Sequence, residues 1–344
     1  MNADLNTGLN TGPSTGLNTG PGTGTGHRRP AVGQYAGDRR RAWPYPRASL
    51  GVAAAGAVSV PFLVPPYPLH QVTLVLVYVV ALLGLDLVAG HGGLISLGHG
   101  AFFGIGAYAA AILLSSGVPY PVTLPVAGLV AYGLGHAFGR PAVRLSGVYL
   151  AVVTFAVAVA VPPLIRRLAP GGAMGLPVGT PAAPSFTGLD DDQWVYLLVL
   201  AVAAAAFTLM RSVVRSSRGR ALVALRADAG AAELLGMRPA AIRAHAFACS
   251  ALYAGLAGCL FTWTTGFVAP ESFTVTLSIT LLAGIVIGGL ATVSGAVIGA
   301  VVVTFLPAPG LVSGLALILV LAVAPSGVTG LARRAPAFLR KDRR

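Results

Sequence analysis

Lysine is almost missing from this sequence: Lys341 is the only one in 344 residues. A phosphate-cradling GxxxxGK[ST] loop requires a lysine, and no such pattern occurs, so the chain has no ATP-hydrolysing loop of the usual kind. Acids are scarce as well, with ten Asp and Glu in all, and Asp86 is the only one inside an apolar run. A transporter coupled to ions needs carboxylates within its spans, so that mode of coupling is disfavoured. Of the two cysteines, Cys249 and Cys259 stand ten residues apart in one apolar run. On a helix that separation is about 15 Å, too far for a disulfide, and no CxxC or CxxH pattern suggests a metal. Ser96, His99 and Asp86 invite a hydrolytic triad, but no G-x-S-x-G nucleophile motif accompanies them. No catalytic residue, cofactor or metal is assigned, and the chain is not read as an enzyme.

Apolar sequence is what remains. Hydrophobic residues make up 55% of the chain and charged ones 10%, against about 25% charged in soluble domains. Runs near the roughly 20 residues that cross a bilayer recur at 48–64, 69–89, 93–115, 118–138, 146–165, 193–211, 244–267, 274–289, 291–306 and 309–324. The expected fold is an all-α transmembrane bundle of about ten spans, with 274–306 readable also as one re-entrant hairpin. The membrane domain is placed at 48–332. A Leu-Asn-Thr-Gly-repeating, then basic tail (1–47) precedes it, expected to be disordered, and a basic tail (333–344) follows. The net charge of +13 is mostly arginine at span ends, which suits membrane orientation and not nucleic-acid binding. Ten spans put both termini, the 140–144 loop and the 215–243 loop on the cytoplasmic side of the cell membrane, and 166–192 outside. Arg166 and Arg167 run against that rule.

Two hydrophilic or glycine-rich stretches stand out. Between Gly90 and Gly106 the sequence GHGGLISLGHGAFFGIG is the densest glycine region of the apolar part. Glycines this close weaken a helix, and freed backbone in a bundle can line a polar path. The candidate path residues are Asp86, Gly90, Gly93, Ser96, Gly98, His99 and Gly100. Asp86 is expected to hydrogen-bond the loosened 90–100 backbone and not to carry a coupling proton. The other stretch, 215–243, repeats Leu222, Leu225, Ala229, Ala232 and Gly236 at helical spacing, with arginines on the other face. It reads as one short amphipathic helix, closed by a left-handed cap at Gly236 and stopped before Pro239. Small residues at Ala231, Ala232 and Gly236 would let a partner approach, and Arg220 and Arg226 could pair with its acids. Further glycine clusters occur at 170–176 and 288–295, and Glu271 is expected to cap the helix after it.

In order along the chain, GLISLGHGAFFGIGAY (93–108), RLSGVYLAVVT (144–154), the glycines of 171–176, the 219–236 loop, APESF (269–273) with GGL (288–290), and APSGV (324–328) resemble the permeases of branched-chain amino acid ABC importers, specifically the M-type subunit. The resemblance covers residues 70 to 335. It implies a permease pairing with a second, similar permease, two cytoplasmic ATPases and an extracytoplasmic solute-binding protein. It also makes Gly219, Arg220, Arg226, Ala231, Ala232, Glu233 and Gly236 parts of an ATPase-coupling loop. Leu94 stands where that family often has Gln, and Asp86 where Asn is usual. Gly93-Leu94 also resembles the related urea and short-amide permeases, so both substrate classes stay open.

Overall fold

A computed structural model describes residues 56–142, 148–168 and 174–305. Both terminal tails, the 309–324 run, the 324–328 motif and parts of 48–64, 144–154 and 171–176 lie outside the described residues. The elements are α1 (Pro66–Asp86), a π-helical turn (Leu87–His91), α2 (His99–Ser115), α3 (Tyr120–Ala142), α4 (Val148–Leu168), β1 (Leu176–Pro177) and α5 (Asp191–Arg215). There follow α6 (Ser217–Ala227), α7 (Ala229–Leu234), α8 (Pro239–Thr265), β2 (Phe267–Val268), a 3-10 turn (Pro270–Phe273), α9 (Val275–Gly288) and α10 (Val293–Phe305). The only sheet among the described residues is the antiparallel pair β1–β2.

The fold is all-α, and the chain is a multi-pass membrane protein. Five described helices are long and apolar enough to cross a bilayer: α1 with its π turn, α3, α4, α5 and α8. α2, α9 and α10 are apolar but shorter. At 14 and 13 residues, α9 and α10 rise about 20 Å each, short of a hydrocarbon core of about 30 Å. The expected 93–115 span is corrected by the structure. Residues 92–98 are not helical, and α2 begins only at His99.

α1 and α8 are the buried centre, each 72% enclosed over its most apolar stretch, while α3, α4 and α5 are 22–33% enclosed and form the periphery. Apolar burial cannot sort helices when lipid is as apolar as leucine, so small residues do it. α8 carries Gly255 and Gly258 against Gly106 and the Phe103 carbonyl of α2, while Ala127, Ala131 and Gly135 of α3 meet its other side at Gly255 and Ala251. A Cβ on Gly258 would sit 2.7 Å from the Ala107 amide. Trp263 Nε1 donates to Thr123 Oγ1 at 3.1 Å, fixing the register between α8 and α3. The segment 56–63 is also helical and is anchored on α5, where Tyr196 donates to the Ala57 carbonyl at 2.8 Å and Gln193 to that of Pro61 at 3.0 Å.

Candidate functional site

Where α1 ends, the chain turns back into the bundle. His99 Nε2 lies 2.8 Å from the Ala81 carbonyl, ten residues before His91, so α2 starts about 15 Å inside the end of the π turn that continues α1. Residues 92–98 climb that distance as irregular backbone. Four amides at the break have partners, two from distant helices and two from the preceding turn. The Leu97 amide donates to Thr154 Oγ1 of α4 at 3.0 Å, and the Gly100 amide to Ser278 Oγ of α9 at 2.9 Å. Gly92 and Leu94 amides return to the Leu87 and Val88 carbonyls. Irregular backbone survives at membrane depth where protein encloses it, as it does Gly92, Leu94, Ser96 and Gly98 here.

His99 is fully engaged. Its Nε2 faces a carbonyl and must donate, so Nδ1 accepts from Ser250 Oγ of α8 at 3.4 Å. It therefore ties α1, α2 and α8 together and offers no free nitrogen. Ser96 and Gly98 are buried, Gly98 against Thr154, while Gly93 and Ile95 are exposed. Asp86 is 4% exposed. Its Oδ1 accepts from the Ala291 amide at 2.7 Å, and its Oδ2 lies 3.4 Å from His91 Nδ1. The expectation that Asp86 holds the 90–100 backbone is thus corrected: it holds the α9–α10 junction, 205 residues on, where Ala291 has a left-handed φ of +58°. That hairpin is itself closed through glycine, Gly288 against the Gly295 carbonyl and Gly299 against that of Gly284.

The 215–243 loop is two helices and not one. Asp228 leaves the helical conformation after α6 and its Oδ1 accepts from the Ala231 amide at 3.1 Å, starting α7. Ser216 caps α6 in the same way through the amide of Gly219, which is buried. Gly236 has φ +79°, and the Met237 amide returns to the Ala232 carbonyl, so α7 closes in the left-handed cap. Leu222, Leu225 and Ala232 are buried. Ala232 therefore faces its own chain and not a partner, whereas Ala231, Glu233 and Gly236 are exposed. Leu234 and Leu235 beside them are 91% and 77% exposed.

The two arginines expected to reach a partner's acids are placed differently, Arg220 on the exposed face and Arg226 against the chain's own backbone. Arg220 donates to the Arg215 carbonyl of its own loop at 2.6 Å. Arg226 turns inward, donating to the Gly90 carbonyl. Its stem lies on Gly93, where a Cβ would come within 2.9 Å of Arg226 Cγ. Gly93 has φ +65°, so conformation and space both require glycine there. The loop and the break are one assembly: α6 rests on residues 90–93, and Asp86, one turn back, holds the α9–α10 junction.

At the opposite end two further stretches meet. β1 pairs with β2, Leu176 opposite Val268, and the chain then enters the 3-10 turn. Phe273 packs beside Phe103, Tyr108 and Phe261, on the space left by Gly104. Glu271 does not cap α9 as expected. Its Oε1 accepts from Arg166 at 2.7 Å, so one of the two arginines that run against the charge rule is paired. The residues sequence reasoning missed are Thr154, Ser278, Ala291, Leu234 and Leu235. A hydroxyl inside an apolar run was the available signal for Thr154, but Ser278 stands among Thr274, Thr276 and Thr280, which hid it. Nothing local distinguished Ala291.

The branched-chain amino acid transport system permease component family matches residues 67–330. The high-affinity branched-chain amino acid transport system permease protein LivM of Escherichia coli (strain K12) is 35% identical over 271 residues, covering 71% of this chain. The protein of that name from Salmonella typhimurium is 34% identical over the same length. The chain spans 64% of the length of each of these relatives. No solved structure matches it.

Proposed function

Because this chain belongs to the permease family of branched-chain amino acid transport systems, we propose that it forms part of the translocation path of an ATP-driven importer of leucine, isoleucine and valine. Its partners in that reading are a second, similar permease, two cytoplasmic ATPases that dock on the 215–243 loop, and an extracytoplasmic binding protein. Both termini and the loop are then cytoplasmic. Residues 48–332 form the permease domain, and the path residues are Asp86, Gly90, Gly93, Ser96, Gly98, His99 and Gly100.

One observation carries the reading: Arg226 of the loop grips the Gly90 carbonyl of the break. A loop moved by a partner would pull directly on the backbone that interrupts α1–α2, and through Asp86 on the α9–α10 junction. The partner's grip falls on Leu234 and Leu235, whose exposure in water would otherwise be unfavourable. The complex reconstituted in proteoliposomes with ATP should take up leucine, and excess urea or acetamide should not compete. Leu235→Asp should abolish ATPase association and uptake while the chain still assembles. Arg226→Ala should keep ATPase bound and turning over but cut uptake at least tenfold. Competition by urea would reassign the substrate. Full uptake in both variants would remove the loop from the mechanism.

A further inference from the structure

A cluster of basic and aromatic side chains lies outside the path, between α3, α6 and α8. His245 of α8 stands at its centre. Its Nε2 lies 3.2 Å from Arg218 Nη1 of α6. Arginine can only donate, so Nε2 accepts and Nδ1 carries the proton, facing Tyr132 Oη of α3 at 3.4 Å. The Tyr132 ring stacks on His136, centroids 6.2 Å apart and planes 11° apart. His136 Nδ1 is buried with no hydrogen-bond partner among the described residues. Arg140 is exposed one turn further on, on the same face of α3 as His136.

Arg218, His245 and His136 thus converge from three helices, with Arg140 on the same face of α3 and no acid on any of the three. The sequences of α3, α6 and α8 contain no Asp or Glu at all. The acids nearest in sequence, Asp228 and Glu233, belong to α7, and Asp228 caps it. Depth decides what such a cluster meets. His136 is six residues from the end of α3 and His245 six from the start of α8, about 9 Å along each axis. In a bilayer that is the headgroup and upper acyl region, below the loop tips that a soluble partner reaches.

We propose that this cluster is a binding site for the phosphate of an anionic phospholipid headgroup. Arg218 and Arg140 supply the charge, and Tyr132, His136 and His245 form the floor. A bound headgroup would bridge the base of the coupling loop, through Arg218, to α3 and α8. The full-length chain, purified in neutral detergent with whatever partners remain attached, is titrated with phosphatidylglycerol, phosphatidylcholine and inorganic phosphate, and binding is read by native mass spectrometry. Phosphatidylglycerol should bind well above phosphatidylcholine. Each arginine removed should weaken it about fivefold, and Arg140→Gln with Arg218→Gln together roughly 25-fold. Arg238→Gln removes the same charge at the start of α8 and should leave binding unchanged. Where the double variant does not fold, Arg140→Gln alone must show its fivefold loss. Equal binding of phosphatidylcholine, or equal weakening by Arg238→Gln, would overturn the site. Inorganic phosphate binding as tightly as the lipid would assign the cluster to a soluble phosphate instead.

Discussion

Glycine is as much a feature of the α2–α8 crossing as of the 90–100 break, yet the two regions use it in opposite ways. Gly255 and Gly258 lie inside an unbroken 27-residue helix, and Gly106 lies in α2 against them. Gly90, Gly92, Gly93 and Gly98 lie where helix gives out. In the first region every peptide group is already paired within its helix, so a missing side chain serves only close approach. In the second, amides are freed and then answered by Thr154 and Ser278, and a carbonyl by Arg226. Composition does not separate a packing seam from a joint. What separates them is whether a backbone amide has been freed: at the crossing Thr262 Oγ1 donates to the Ala107 carbonyl of an intact helix, whereas at the break the side chains of Thr154 and Ser278 answer amides that helix has released.

The strongest test of that contrast is Gly258→Leu. Its side chain would have to occupy the place of the Phe103 carbonyl, which is backbone and cannot swing away. Forcing the helices apart should cost about 3 kcal/mol or more, enough to lose monodisperse protein on size-exclusion chromatography. Normal yield would mean that the crossing is not a rigid seam.

Next in size is Gly93→Ala in the joint. A left-handed φ costs an alanine about 1–2 kcal/mol, and the new methyl meets Arg226 Cγ. Thermal stability should fall by that amount plus a steric part, and uptake should fall more than tenfold. Adding Arg226→Ala should return the steric part of the stability but none of the uptake. Recovery of both would show that Arg226 only fills space.

The two regions also differed in how far the sequence disclosed them. Runs of apolar residues located α1, α3, α4, α5 and α8 within a few positions, because lipid burial demands length and apolarity and little else. The glycine density between 90 and 100 located a break. It could not say that Gly98 belongs against Thr154 or Gly100 against Ser278, since those pairings span 56 and 178 residues. Helical periodicity placed Leu222, Leu225 and Ala232 on one face but not which way that face points. A greasy face fits a partner's groove and the chain's own core equally well, and here the core has it. Arg226 was misjudged for a related reason: a long side chain can snorkel to either side of a short helix.

Asp86 gives a smaller effect within the joint itself. Asp86→Asn keeps an oxygen for the Ala291 amide, so assembly and uptake should stay near normal. Asp86→Leu leaves that amide buried without a partner, a cost of about 1–3 kcal/mol, read as a lower melting temperature together with reduced uptake. An Asn variant that assembles fully yet does not transport would show that the carboxylate does more than hold backbone.

The smallest effect should come from the one ion pair among the described residues that answers no backbone group. Arg166 and Glu271 join the end of α4 to the 3-10 turn, with side chains 48% and 54% exposed. An exposed pair gains little over hydrated ions, typically about 0.2–1 kcal/mol, and salt screens it. The turn has a separate anchor in Phe273, buried against Phe103, Tyr108 and Phe261. Glu271→Gln should therefore shift the melting temperature by no more than a degree or two in dilute buffer, on the order expected for such a pair in a chain of this size, and by nothing measurable in 0.5 M salt, a concentration roughly five times that giving a 10 Å screening length. Uptake should follow the same pattern. A salt-independent loss comparable to that of Asp86→Leu would place this pair among the groups that hold the bundle's joints, and exposure to water would no longer separate the two kinds of contact.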